Sequence, residues 1–338
     1  MLAHVKWFTS NNEWTFPDLV VWEWMLVFVL GAAGFATLGR VDAWIKNSGL
    51  WRSIDKIGRP LRNVAPLIVR ISTAVLLFFN IKHEQLLAPN VDSDDSLLAL
   101  LITVIFAMSA VSIAAGFMTR AGLIGFLLAY VLILFKASVV DWLDHIDYVG
   151  LAGYLWLRGP GRYSADHQLG SIQLVTPEHM SLSLHIYRIG VGVALVVLSF
   201  SEKLAGIGIA EQFLELHQWN LLRFVGVSDR SFIIIIGAIE LMLGIALIVN
   251  FAPRLILLII LTTMIQTALL LGIEEVYGHL FAVGIFVAIW VNDRVTRSKI
   301  VLPQTQLVRL MFADLSHFIA GFGHSGKRSY PQDDYRSH

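Results

Sequence analysis

Glu274-Glu275-Val276-Tyr277-Gly278-His279-Leu280-Phe281-Ala282-Val283-Gly284 opens an apolar run that continues to Trp290. It sets an acid, Glu275, and a histidine, His279, four residues apart at the mouth of a hydrophobic segment. At i and i+4 on a helix, two side chains share one face. The pattern occurs earlier as well: Asp141, His145, Val149, Gly150 and Trp156 repeat the spacing of Glu275, His279, Val283, Gly284 and Trp290. Two apolar helices with the same polar mouth predict a duplicated helical protein with a paired polar site.

The composition says where such helices reside. Of 338 residues, 56% are hydrophobic and 15% charged, whereas soluble domains carry roughly 25% charged residues. Runs such as Val75–Phe79, Leu97–Ile105 and Phe232–Ile236 need lipid or a membrane-buried core around them. The fold class is therefore an all-α polytopic membrane protein. With no cysteine in the chain, disulfides, cysteine-ligated iron–sulfur clusters, a CxxC redox pair and thiolate zinc sites are excluded. A formal net charge of zero gives no footprint for nucleic acid.

In chain order, the aromatic residues Trp7, Phe8, Trp14 and Phe16 mark an interfacial lead-in. A first span is predicted near 19–39, uncleaved, with Glu23 as a solvated end. Arg40, Lys46, Arg52, Lys56, Arg59 and Arg62 then cluster before residue 66, which makes this loop cytoplasmic and the N-terminus external. Trp44, Ile45, Trp51, Ile54 and Ile57 between those charges suggest an amphipathic interfacial segment. Further spans are predicted near 64–86, 96–117, 121–138, 143–158, 184–204, 231–250, 253–272 and 277–292, about nine in all. Acidic external and basic internal loops alternate along them, ending with a cytoplasmic C-terminus. Leu307, Leu310, Met311, Leu315, Phe318, Ile319 and Phe322 recur at helical spacing, which predicts a surface-lying amphipathic helix before a polar tail.

Self-similarity extends beyond the opening motif. Arg70 with Glu84 matches Arg188 with Glu202, and Phe117 with Arg120 matches Phe251 with Arg254. Four spans per copy would insert both copies the same way round, as parallel repeats. The resulting division is 1–63 for the leading span and basic segment, 64–170 and 184–295 for the repeats, and 300–338 for the amphipathic helix and tail. The second copy gains an external insertion at about 205–230.

Each repeat resembles the DoxX/DoxD-like four-helix membrane domain. The likeness rests on the Arg-led first helix ending in Glu, the Gly- or Asn-to-Arg turn after the second helix, and Gly159-Pro-Gly-Arg-Tyr-Ser-Ala-Asp166 after the fourth. Glu240 resembles a family position, although the first repeat has Phe106 there, and the second repeat ends in Val291-Asn-Asp-Arg rather than Gly-Pro-Gly-Arg. The resemblance implies a bacterial or archaeal inner-membrane subunit of a redox complex, similar to the membrane subunits of thiosulfate:quinone oxidoreductases. Quinone would be its ligand, no cofactor would be covalent, and a partner subunit would bring the electrons.

Glu240 is the sharpest single residue, because a carboxyl at mid-span costs about 2.5–3.5 kcal/mol on insertion scales. It needs a partner, with Gln266, Thr263, Arg188 and His279 as candidates, and it is expected to handle protons or a quinone carbonyl together with His279. A carboxylic acid bonded between helices purely for packing is the alternative. Glu275, Asp141, His145, Glu84 and Glu202 are expected to gather at the outer end as ligand-binding groups. His279, Glu275, His145 and Asp141 are also candidate metal ligands, set against a plainer role as helix-start acids and buried hydrogen-bonding histidines. Arg70 and Arg188 stand about 21 Å from the Glu that ends their helix. They are therefore structural, reaching headgroups or clamping the turn built on Gly159, Gly161 and Arg162. Two non-enzymatic readings compete with the redox one: a scaffold anchoring another complex, and a carrier for a small solute or ion.

Overall fold

The computed structural model describes residues 19–87, 91–170, 175–271 and 280–296. The aromatic lead-in before residue 19, Glu275, His279 and the 300–338 amphipathic helix with its tail lie outside the described residues.

Thirteen α-helices and one small hairpin make up the described chain. They are α1 Val21–Asn47, α2 Leu50–Gly58, α3 Ala65–Lys82, the strands β1 Gln85–Leu87 and β2 Val91–Asp92, α4 Leu97–Ala115 and α5 Thr119–Leu132. Next come α6 Val139–Asp144, α7 Asp147–Arg158, α8 Ala165–Gln168, α9 Pro177–Leu198 and α10 Ile207–His217. The last three are α11 Asp229–Ile248, α12 Pro253–Leu271 and α13 Leu280–Thr296. Among the described residues, five helices are long and apolar enough to cross a membrane: α1, α3, α4, α9 with its continuation to Leu204, and α11. Shorter apolar helices cover 119–135, 253–266 and 283–292. The span expected at 143–158 is interrupted, because α6 ends at Asp144 with His145 as its cap and α7 restarts at Asp147.

Local chemistry sets the helix ends. Ser96, Thr176 and Ser228 each accept the amide three residues on, capping α4, α9 and α11, which satisfies a donor that the helix itself cannot. Gly116 closes α4 in the left-handed region at φ 63°. Asn250 does the same after α11 at φ 60°, and Met118 and Ala252, two residues on, share φ values of 47° and 44°. In both turns the capping amide bonds a carbonyl three residues back, Ile113 or Leu247, and the next amide bonds the one five back, Ser112 or Ala246. The two turns have the same backbone 134 residues apart.

Packing follows the same arithmetic. Helices α3, α4, α5 and α7 close a ring, each touching the next, and so do α9, α11, α12 and α13. The rings meet through α7 against α9 and α3 against α13. Close helix approach depends on glycine: a Cβ on Gly190 would fall 2.9 Å from the Gly150 Cα, and one on Gly192 2.8 Å from the Gly244 carbonyl oxygen. Small residues at such crossings are what membrane helices use in place of a hydrophobic driving force.

Helix α1 lies against α11, with Phe35 packed on Phe251. Glu23 is not a solvated end: it is 1% exposed and accepts from Arg230 Nε and Nη2 at 2.6 and 3.0 Å. The apolar surroundings of the α1–α11 contact would make a bare carboxylate there costly, and the guanidinium fork offsets that cost. Helix α2 is amphipathic as its sequence implied. Its Trp51 is buried edge-on to Trp290, and Asp55 accepts from Arg254 Nη2 at 2.5 Å.

Candidate functional site

The polar centre of the molecule is at the end of α9. From Ser199 to Leu204 the helix widens into a π-helical turn, a feature that inserts one residue and often marks functional positions. The Ser199 hydroxyl donates to the Gly237 carbonyl of α11 at 2.7 Å, and Lys203 and Leu204 press on the same glycine. The π-turn thereby aims Lys203 inward. Its Nζ lies 3.0 Å from Glu202 Oε2 and 2.9 Å from Glu240 Oε2. Glu202, Lys203 and Glu240 are 7, 4 and 3% exposed, so two carboxyls share one ammonium out of reach of bulk water. The Glu240 carboxyl makes this ion contact without a well-aligned hydrogen bond to either oxygen.

More acid stands beside the triad. Ser201 donates to Asp144 Oδ1 at 3.4 Å, a long contact that places a third buried carboxyl within electrostatic reach of Glu202 and Lys203. Three residues on, Asp147 is 1% exposed. Two carboxyls thus contact the lysine, a third lies within its electrostatic reach, and a fourth is buried three residues further on.

The site residues singled out in the sequence divide sharply. Glu240 and Glu202 come together, joined by Lys203. Gln266 is exposed and Thr263 donates back to Ile259 of its own helix; the ion partner of Glu240 is Lys203. Glu84 is exposed in a left-handed turn at φ 54°, unlike its sequence counterpart Glu202. The Asp141 carboxylate accepts from the Ser138 hydroxyl as the acid of a helix start. His145 is buried with Nδ1 2.9 Å from the Asp141 carbonyl oxygen, a contact in which the imidazole donates. The main chain of Asp141 meets the histidine here. Among the described residues, no three His, Asp or Glu side chains form a metal-binding group.

The arginines are structural pins. Arg70, 1% exposed, donates to Ile113 and Ala114 at the end of α4 at 2.8 and 2.6 Å, and to Pro160 and Tyr163 at 2.8 and 2.9 Å. Arg188 donates to Leu247, the residue 134 after Ile113, at 2.5 Å. Gly161 stands at φ 81°, where a Cβ would also meet Pro66 at 2.9 Å; Gly159 takes φ 73° and Arg162 is exposed. Asp166 completes the turn by accepting from the amides of Met118 and Thr119.

Lys203 is the member of this cluster that the motifs of the sequence do not include. Its signal was present, as a lysine adjoining Glu202 at the end of an apolar helix. A straight α-helical register gives no reason to turn it inward. Compared with family models, curated proteins and solved structures, the chain matches none.

Proposed function

We propose that this chain is the integral membrane subunit of a quinone-linked redox system of DoxX/DoxD-like plan, in which Glu202, Lys203 and Glu240 hold and deliver protons while a partner subunit supplies electrons. The observation that carries the reading is the buried lysine shared by two carboxyls on a π-turn. One ammonium balances one carboxylate; the second carboxyl closes the charge balance only by carrying a proton, because an unbalanced charge in a low-dielectric interior is expensive. A proton held this way can be passed on. Reducing a quinone to a quinol takes two electrons and two protons, so a membrane subunit that serves quinone must have a protonic route. Glu240, whose Oε2 lies 2.9 Å from Lys203 Nζ, can donate to a quinone carbonyl when it carries the proton; the quinone is substrate here.

The finer architecture belongs to the same proposal. About nine spans, with an external N-terminus and a cytoplasmic C-terminus in an inner membrane, accommodate the acidic and basic loops. Two parallel repeats at 64–170 and 184–295 are supported by the matching turns, by the arginine pins and by a ring packing that is unchanged when the halves are exchanged. In that correspondence Glu240 matches Phe106 and Lys203 matches Gln85. The scaffold has two halves and one charged centre.

Purification in mild detergent from the native host, with mass spectrometry of bound quinones and partner proteins, tests the reading. Quinone is expected to co-purify, and Glu240→Gln to cut quinone-linked turnover by about a hundredfold, the scale of losing a positioned proton donor. Absence of quinone together with full activity in Glu240→Gln rejects it. A scaffold or anchor subunit instead tolerates Glu240→Gln but loses partner binding when α2 is altered, and an ion or solute carrier shows flux in liposomes without any partner.

A further inference from the structure

Helices α3, α7, α9 and α13 meet along the seam between the two rings, and a line of buried polar groups on one side of it is unfilled. The Asp147 carboxyl leans over the first amides of α7 without closing a well-aligned hydrogen bond at either oxygen. Asn80, fully buried on α3, lies within hydrogen-bonding reach of the Tyr148 hydroxyl, and its amide oxygen and nitrogen likewise close no well-aligned bond. Further along, the Tyr154 hydroxyl and Arg158 Nε are unfilled.

These groups are in register. Asp147, Tyr154 and Arg158 are seven and four residues apart, which puts them on one stripe of α7 about 40° wide and over about 16 Å of rise. Tyr187 of α9, which has a partner of its own, flanks the line. Its ring centroid is 5.4 Å from that of Tyr154, and it lies within the electrostatic reach of Asp147. Its hydroxyl stands 3.3 Å from where a Cβ on Gly284 would be, with the Ser72 hydroxyl 2.7 Å from the same point. Gly150 and Gly190 close one flank by backbone contact; small Ser72 and Gly284 line the other.

Single unfilled polar atoms occur in any protein. A row of them does not, since each costs about 1–3 kcal/mol when left without a partner, and buried polar atoms are met by protein or by ordered water in roughly nine cases of ten. The architecture does not demand the row either. The positions related to Asp147, Tyr154 and Arg158 by the 134-residue offset are Phe281, Ala288 and Asn292, and Asn80 corresponds to Leu198 by the offset that relates Arg70 to Arg188. Of these four positions only Asn292 is polar.

We propose that a file of ordered water runs along this stripe, from Asp147 and Asn80 past Tyr187 and Tyr154 to Arg158, and relays protons between the end of the bundle that holds Glu202 and Glu240 and the end that holds Arg158. Asp144, bonded to Ser201 beside Glu202, stands three residues from Asp147 and joins the file to the triad. Each hop breaks one O–H bond as the next forms, so the carboxyl and hydroxyls are returned unchanged and no oxidant or reductant enters. Water can hold such a line because each buried molecule makes about three hydrogen bonds to polar walls. The file stands whether or not a quinone is the substrate.

X-ray radiolytic footprinting of the full chain in nanodiscs reads the water directly, because bound water generates hydroxyl radical in place. Tyr154 and Tyr187, both fully buried, are expected to be oxidised several-fold faster than Tyr130, which is equally buried but donates its hydroxyl to the Trp142 carbonyl at 2.6 Å. Equal, slow labelling of all three overturns the file. Proton flux into liposomes clamped with potassium and valinomycin reads the relay: Tyr154→Phe, which removes one hydroxyl and keeps the ring, is expected to slow flux about tenfold or more. Unchanged flux in that variant, or wild-type flux no faster than in empty liposomes, overturns the relay even where water is found. Neither readout involves quinone turnover, so failure here is distinct from failure of the redox assignment.

Discussion

Replacing Lys203 by methionine keeps the length of the side chain and removes the only charge that two buried carboxyls share. With one of the two carboxyls carrying a proton, the contact of Lys203 Nζ with the other, at 3.0 or 2.9 Å, is worth about 5–6 kcal/mol of attraction at an effective dielectric near 20. Without the lysine only the desolvation of that carboxylate is left. The protein can escape by taking up a proton, which for an ordinary glutamate at pH 7 costs about 3–4 kcal/mol. Both routes lead to a loss of about 3–5 kcal/mol, the usual result of stripping one partner from a buried ion cluster. Unfolding in mixed detergent–SDS micelles at pH 7 measures it. The triple change Glu202→Gln, Lys203→Met, Glu240→Gln removes every charge and is expected to recover most of the loss. Lowering the pH to about 5 makes proton uptake cheap, about 1 kcal/mol, and so shrinks the Lys203→Met defect. A single variant within 1 kcal/mol of wild type, or a triple no better than the single, would show that the three groups are not energetically joined.

Other outcomes rest on the same kind of contact. Arg70→Lys loses the fork that reaches four carbonyls on two segments, and a stability loss of about 3–5 kcal/mol is expected by the same unfolding assay; a change under 1 kcal/mol contradicts the pin. In Gly237→Ala the new Cβ would meet Leu204 Cδ2 at 2.9 Å and Lys203 Cβ at 3.2 Å, so a loss of about 1–3 kcal/mol should accompany a displaced Lys203; neutrality in both respects contradicts the packing. Outside the spans, Lys136 and Ser96 hold the exposed Asp94 carboxyl down from 3.8 to about 2. Its contribution is therefore present above pH 3.8 and fades as pH falls through about 2. Lys136→Gln should move its titration, read by carbon NMR of the carboxyl, up toward 3.8, and an unmoved midpoint contradicts the pairing.

How far the chain could be read before its structure depended on the kind of signal. Helical membrane character is a matter of composition and run length, and needs no three-dimensional information. Glu240 stood out because a mid-span carboxyl is costly wherever the helix faces. The turn after α4 was legible through Gly116 and the Arg beyond it, since a left-handed cap favours glycine or asparagine. Lys203 was legible only as a lysine adjoining Glu202, and its inward turn was not: one extra residue in a π-turn rotates every later side chain of the helix by about 100°, and no side chain between Ser199 and Leu204 announces the π-turn. The Asp141/His145 spacing misled for a related reason. The i, i+4 rule assumes a continuous helix, and the helix ends at Asp144, so the histidine finds a carbonyl. Glu23 looked like a solvated end because Arg230 lies 207 residues away, beyond any local pattern.

A symmetric frame with asymmetric chemistry separates what the fold requires from what it carries. Gly116 and Asn250, Ile113 and Leu247, Arg70 and Arg188 repeat because each ring must be closed and pinned in the same way. Were the buried carboxyls also packing devices, the same rings would need them twice. Instead Phe106 stands for Glu240 and Gln85 for Lys203, and Phe106 packs with its ring centroid 6.0 Å from that of Phe126, the rings tilted. An apolar residue therefore suffices architecturally at the position Glu240 occupies. Buried ionic clusters are at best neutral for stability against well-packed apolar side chains, and in a membrane they are costlier still. The turns and arginine pins recur without a second lysine–glutamate cluster, which sets Glu202, Lys203 and Glu240 apart from what packing alone explains.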